Sequence, residues 1–160
     1  MTELNRKALS YALTLLGRKR YAKVQLERKL INRGFPEEEV KAVLHYCEER
    51  DYINDYDFAR FWVEDRLRFK PMGRWRLRGE LFQHGIEAEV VDRVLEELLP
   101  EEQEVALAEE IIRAKAAKAG PGELKGRKLF DFLRRRGFSP EVIRRAAGAL
   151  GITFSEVDQT

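Results

Sequence analysis

Apolar residues along the chain fall at helical rather than strand spacing. Leu9, Ala12, Leu13 and Leu16 stand at i, i+3, i+4 and i+7, which puts them on one face of a helix. Phe58, Phe61 and Trp62 open a second such face, and Ala108, Ile111 and Ile112 a third. No sustained alternation of β-branched residues is present, so strands are not expected. The apolar pattern also repeats along the chain. Leu26, Leu30, Gly34 and Phe35 recur as Leu77, Leu81, Gly85 and Ile86, and again as Leu129, Leu133, Gly137 and Phe138. The glycines lie 51 and then 52 residues apart. Behind them, Val40, Val43 and Leu44 match Val91, Val94 and Leu95, and then Ile143, Ala146 and Ala147.

Each copy reads as three helices. The second carries the paired leucines and ends at the repeating glycine, the residue that closes a helix in the left-handed conformation at least cost. The third starts just after, with Pro36 or Pro140 near its first turn and acids behind, as the helix dipole favours. Asn54 or Asp55 would cap the helix opening the second copy. Gly120-Pro121-Gly122 separates the first two helices of the third. The expectation is an all-α, elongated and curved array of three tandem three-helix, helix-turn-helix-like repeats at 7–50, 55–99 and 102–148. A short tail, 149–160, follows.

Charge changes this picture more than composition does. The 160 residues hold 30 Lys and Arg against 28 Asp and Glu, a net of +2, with 44% apolar residues to build a core. The near-cancellation hides segregation. Residues 17–33 contain seven bases and one acid, residues 60–78 seven and two, and residues 125–136 six and one. Residues 87–102 reverse this, with seven acids against Arg93. One basic helix per repeat suits a polyanion such as nucleic acid. The competing reading is that each basic helix pairs with an acidic neighbour.

Helix phase narrows the candidates. With Leu26 and Leu30 on the core face, the far side carries Gln25, Arg28, Lys29 and Asn32. Its counterparts are Arg76, Gly79, Glu80 and Gln83, then Lys128, Asp131, Phe132 and Arg135. Arg28, Arg76, Lys128 and Arg135 are the outward cations expected. Arg74 and Arg78 lie at the flank. A second apolar row, Val24 and Ile31 in the first copy and Trp75 and Phe82 in the second, becomes Arg127 and Arg134 in the third. It is expected to pack against a neighbouring helix or repeat; the alternative is a docking or base-stacking face around Trp75.

Catalytic chemistry is missing. The single cysteine, Cys47, allows no internal disulfide, His45 and Cys47 fall on different helix faces, and no phosphate loop is present. Asp51, Asp55 and Asp57 look calcium-like, but Ile53 occupies the intervening ligand position. No cofactor or metal is expected. No secretory leader or membrane span is read, so a reduced, cytoplasmic protein is anticipated.

The residues together resemble the RecX family of bacterial regulators of the RecA recombinase, over roughly residues 7–148. The most specific stretch is Tyr52-Ile53-Asn54-Asp55, then Phe58-Ala59, Arg66, Lys70-Pro71, Gly73, Arg76-Leu77, Glu80-Leu81 and Gly85-Ile86. The first copy adds Ala8-Leu9, Leu15-Leu16, Arg18, Leu26, Leu30 and Gly34-Phe35. Ala22 and Gln25 depart from the family's usual Ser and Glu at the start of the second helix. The third copy matches least.

The resemblance implies a non-enzymatic protein that binds in the groove of the RecA–single-stranded DNA filament. There it inhibits ATP hydrolysis, strand exchange and filament growth, so modulating recombination and repair. The expected partners are the RecA filament and single-stranded DNA, with duplex DNA bound weakly, no membrane, and the protein itself a monomer. Together with the basic runs it points to contacts through Arg18, Lys19, Arg20, Lys23 and Arg28 in the first copy. Lys70, Arg74 and Arg76 follow in the second, and Lys128 and Arg135 in the third. The alternative is a helix-turn-helix transcription regulator, against which stand Glu89, Asp92, Glu96 and Glu97 on a helix that would have to enter the major groove.

Overall fold

The chain forms helices joined by short turns in a computed structural model that describes residues 4–119 and 126–154. Among the described residues there are nine helices and no strand. The first copy holds α1 (Arg6–Leu16), α2 (Lys23–Asn32) and α3 (Glu37–Glu49). The second holds α4 (Asp55–Phe69), α5 (Arg74–Gln83) and α6 (Ala88–Leu98), and the third α7 (Glu101–Lys118), α8 (Gly126–Arg135) and α9 (Pro140–Ala149). The expected break at Gly120-Pro121-Gly122 and the end of the tail, residues 155–160, lie outside the described residues.

The repeating glycine closes the second helix of every copy. Gly34, Gly85 and Gly137 have φ of 100°, 80° and 95°, a region that a side chain rarely enters. The next amide reaches back across the turn each time: Phe35 to Leu30, Ile86 to Leu81 and Phe138 to Leu133, at 3.1–3.3 Å. The apolar residue carried by that amide folds onto the helix it has just left. Phe138 is wholly buried, Ile86 nearly so.

The backbone packs as two compact units, and these divide the second copy. One comprises the described residues up to Trp62 together with Leu81–Val91. Its core joins Ala8, Ala12 and Leu15 of α1 to Leu26 and Leu30 of α2, Val40, Val43, Leu44 and Cys47 of α3, and Ile53. The other comprises Val63–Glu80 with the described residues from Asp92 onward. In it Val105, Ala108 and Ile112 of α7 pack with Leu129, Phe130 and Leu133 of α8, Phe138, and Val142, Ile143, Ala146 and Ala147 of α9. The six repeated leucines of the second helices are buried, and the three glycines turn the chain.

The second apolar row differs from expectation. Val24, Ile31, Trp75 and Phe82 are all exposed, Trp75 at 62%. Two of its members still touch the following copy: Val24 rests against Gly85, and Trp75 lies under the Arg134 guanidinium.

Candidate nucleic-acid interface

The basic second helices are held in place at their first turns, where backbone amides have no partner inside the helix. Ala22 cannot cap α2 with a side chain. Two other residues do that work: Gln25 Oε1 accepts from the Ala22 amide at 3.2 Å, and Asp55 Oδ1 accepts from the Lys23 amide at 2.8 Å. Gln25 Nε2 also meets His84 Nδ1 at 2.5 Å, and the Val24 side chain rests against Gly85. Asn54, meanwhile, caps α4 through the Asp57 amide.

The start of α5 is built the same way. Glu104 Oε2 accepts from the Arg74 amide at 2.8 Å, while the amides of Gly73 and Trp75 donate to the carbonyls of Arg136 and Gly137 at 2.8 and 3.1 Å. Asp55 and Glu104 occupy equivalent places, each four residues before a fully buried alanine, Ala59 or Ala108. Burial pushes both carboxyls above the ordinary carboxylate range, against the pull of the amide each one caps.

This construction decides which cations are free. Lys23 is bound to Glu48 at 2.8 Å, and that carboxylate holds its ammonium above the usual lysine value despite the opposing effect of burial. Arg74 lies half-buried, 3.7 Å from Glu96, and Arg78 pairs with Asp92 at 3.1 Å. Arg76 is half-buried and donates to the Arg135 carbonyl at 3.3 Å. Lys23, Arg74 and Arg76 therefore each take a partner within the protein, in Glu48 of α3, Glu96 of α6 and the Arg135 carbonyl.

The remaining candidates are exposed. Arg18, Lys19 and Arg20 share the α1–α2 turn, beside an open cavity of about 380 Å³ that Tyr21 and Tyr52 also line and that Asp51 and Asp57 moderate. Arg20 lies 4.2 Å from the centre of the exposed Phe61 ring. Arg28 on α2 and Lys70 after α4 take no ion pair among the described residues.

Lys128 and Arg135 come together on α8. They line an open groove of about 550 Å³ with Asp131, Phe132 and, from α7, Lys115, Lys118 and Ala119. Lys115 and Lys118 escaped the sequence reading because α7 was read by its apolar face. Their i, i+3 spacing was the available signal. Trp75 carries the Arg134 guanidinium 4.9 Å from its ring centre.

Cysteine and histidine, the side chains most often used as nucleophile or base, are each held by neighbours among the described residues. Cys47 is buried, His45 pairs with Glu49 at 2.8 Å, and His84 packs with Phe58 and Trp62. Among the described residues no cluster of His, Cys, Asp or Glu could hold a metal, and no helix is long and apolar enough to cross a membrane.

Comparison with known proteins follows the same three-part division. Models of the first, second and third three-helix domains of RecX match residues 8–47, 54–95 and 101–147. The chain is 35% identical over 141 residues to the regulatory protein RecX of Caldanaerobacter subterraneus subsp. tengcongensis, covering 88% of this chain and 69% of that one. It is 33% identical over 153 residues to that of Chlorobaculum tepidum, covering 95% and 94%. In fold it matches the crystal structure of RecX from Lactobacillus salivarius with a TM-score of 0.75, over 91% of this chain and 95% of that chain, at 22% identity.

Proposed function

The chain belongs to the RecX family of regulatory proteins, and from that premise we propose that it binds the RecA–single-stranded DNA filament and restrains it. It acts by occupancy in the cytoplasm, as a monomer with no catalytic step, lowering ATP hydrolysis, strand exchange and filament growth. The observation that carries the reading is the run of three consecutive family domains along nearly the whole chain. Exposed, unpaired cations in each copy support it, since they would neutralise phosphates and release counterions on binding. Arg18, Lys19, Arg20, Arg28, Lys70, Lys128 and Arg135 are the contacts proposed. The exposed Phe61 and Trp75 rings, each with a guanidinium over it (Arg20 and Arg134), offer apolar anchors beside charge, a combination typical of interface hot spots.

A sequence-reading transcription regulator fits less well. A recognition helix must carry cations toward phosphates, whereas α3 opens with Glu37, Glu38 and Glu39. On α6, Asp92 and Glu96 are already committed to Arg78 and Arg74.

The deciding experiment is a titration of this protein into a preformed RecA–single-stranded DNA filament at low salt, with ATP turnover as the readout. Turnover falling near stoichiometric protein is expected. Unchanged turnover would refute the reading. Arg28→Glu with Lys128→Glu should weaken the inhibition without loss of helical content.

A further inference from the structure

We propose that the groove between α7 and α8 is a binding site for the sugar–phosphate backbone of a single nucleic-acid strand. It extends the filament reading to one place in the molecule and rests on that reading only for its biological setting, because the strand itself is the ligand.

Four cations converge there: Lys115 and Lys118 from α7, Lys128 and Arg135 from α8. Lys118, Lys128 and Arg135 are exposed and take no ion pair among the described residues. Lys115 is half-buried, with its ammonium 3.9 Å from the centre of the Phe132 ring, a cation–π contact that positions the charge instead of neutralising it. The one acid lining it among the described residues, Asp131, is 3.9 Å from Arg127 outside the groove, so part of its field is already answered. The contrast is with the cavity at the α1–α2 turn, where two aspartates face three cations.

Spacing selects the ligand. Lys128 and Arg135 are seven residues apart, about 10 Å along the helix axis. A single phosphate cannot touch both, whereas a chain of phosphates can. A duplex carries its phosphates on a convex cylinder and would reach only the rim of a slot between two helices. An acidic peptide would find cations but, among the described residues, little to hold its side chains, since Phe132 is taken by Lys115 and Ala119 is the only other apolar residue that lines the groove. The recognition expected is therefore of backbone, without base preference, and sensitive to salt.

The test uses the full chain and a fluorescein-labelled oligothymidylate, followed by anisotropy across a salt series with no recombinase present. Lys118→Gln with Lys128→Gln should weaken binding about tenfold at low salt and flatten the log–log salt slope by about 1.4, at about 0.7 per lost phosphate contact. Arg93→Gln with Arg113→Gln removes the same charge away from the groove and should leave binding within about twofold. Lys128→Gln with Arg135→Gln repeats the test without touching α7.

Equal losses in the groove and control pairs, or no loss in either groove pair, would overturn the proposal. So would polyglutamate displacing the strand as well as unlabelled oligothymidylate does. If the strand result holds while filament ATP turnover is unaffected, the groove stands and the filament reading falls. If turnover is inhibited but bare-strand binding ignores the groove, the reverse applies.

Discussion

Gly73→Ala probes the junction at the start of α5, where a single methyl group has nowhere to go. The backbone of Gly73 lies outside the left-handed region, so alanine is conformationally allowed there. Entropy of the unfolded chain alone would favour it by about 0.4–1 kcal/mol. Packing opposes it. A Cβ on Gly73 would overlap the Gly137 carbonyl oxygen and lie 2.5 Å from its carbon and 2.7 Å from the Phe138 nitrogen. These are backbone atoms and cannot rotate aside.

Relief requires drawing the first turn of α5 away from residues 136–138. That motion lengthens the Gly73–Arg136 and Trp75–Gly137 hydrogen bonds, now 2.8 and 3.1 Å, and disturbs the 2.7 Å bond from the Arg136 guanidinium to the Pro71 carbonyl. Overpacking of this kind costs about 1–3 kcal/mol, and each weakened hydrogen bond up to about 1. With the entropic gain set against them, a net destabilisation of about 2–4 kcal/mol is expected.

Gly79, on the same helix, is the control. It is exposed, with nothing within 4 Å of an added Cβ, so Gly79→Ala should stabilise by about 0.5–1 kcal/mol. Urea unfolding followed by far-ultraviolet circular dichroism reads both. Opposite signs are the expected result. Gly73→Ala within about 0.5 kcal/mol of the parent would refute the steric argument.

Three further outcomes follow from the same contacts. Asp55→Ala should cost about 1 kcal/mol in urea unfolding, because it strips the cap from the Lys23 amide, while Asp55→Asn, which keeps an acceptor, should cost less. For Glu104 the sign runs opposite to the common carboxylate case. Its folded pKa is raised by burial, so the folded state holds its proton more tightly than the unfolded one, and stability falls as pH climbs above the ordinary value of 4.5. Relative to the parent, Glu104→Gln should therefore gain stability as pH rises from the acid side to neutrality; a flat difference across that range would contradict the assigned burial. Trp62→Phe leaves Trp75 as the sole indole, and its emission should be red-shifted and strongly quenched by acrylamide, as suits 62% exposure.

How much of this was legible in the sequence depends on the length of chain that each feature joins. Helices and their glycine turns are local: Leu30, Gly34 and Phe35 sit within one turn, and periodicity finds them. The core follows, since the repeated leucines can only point inward. Which cations stay free is a longer-range matter. Lys23 and Arg28 carry the same charge on the same helix, yet Glu48, twenty-five residues on, takes one and leaves the other. Lys115 and Lys118 show as a binding element only once α8 is laid beside α7.

The least legible feature was the one that joins the copies. Asp55 and Glu104 look like ordinary first-turn acids until the repeat is aligned on Ala59 and Ala108, and then both fall where the preceding copy has uncapped amides. Ala22, which reads as a weakened cap in isolation, is compensated by a residue thirty-three positions later. Because α2 and α5 are each finished by the copy that follows, sequence copies and compact units need not coincide, and they do not: the second copy contributes Leu81–Val91 to one unit and Val63–Glu80 to the other. A fragment ending at residue 50 would contain every buried leucine of α2 and still lack Asp55, His84 and Gly85, the three residues that complete its first turn.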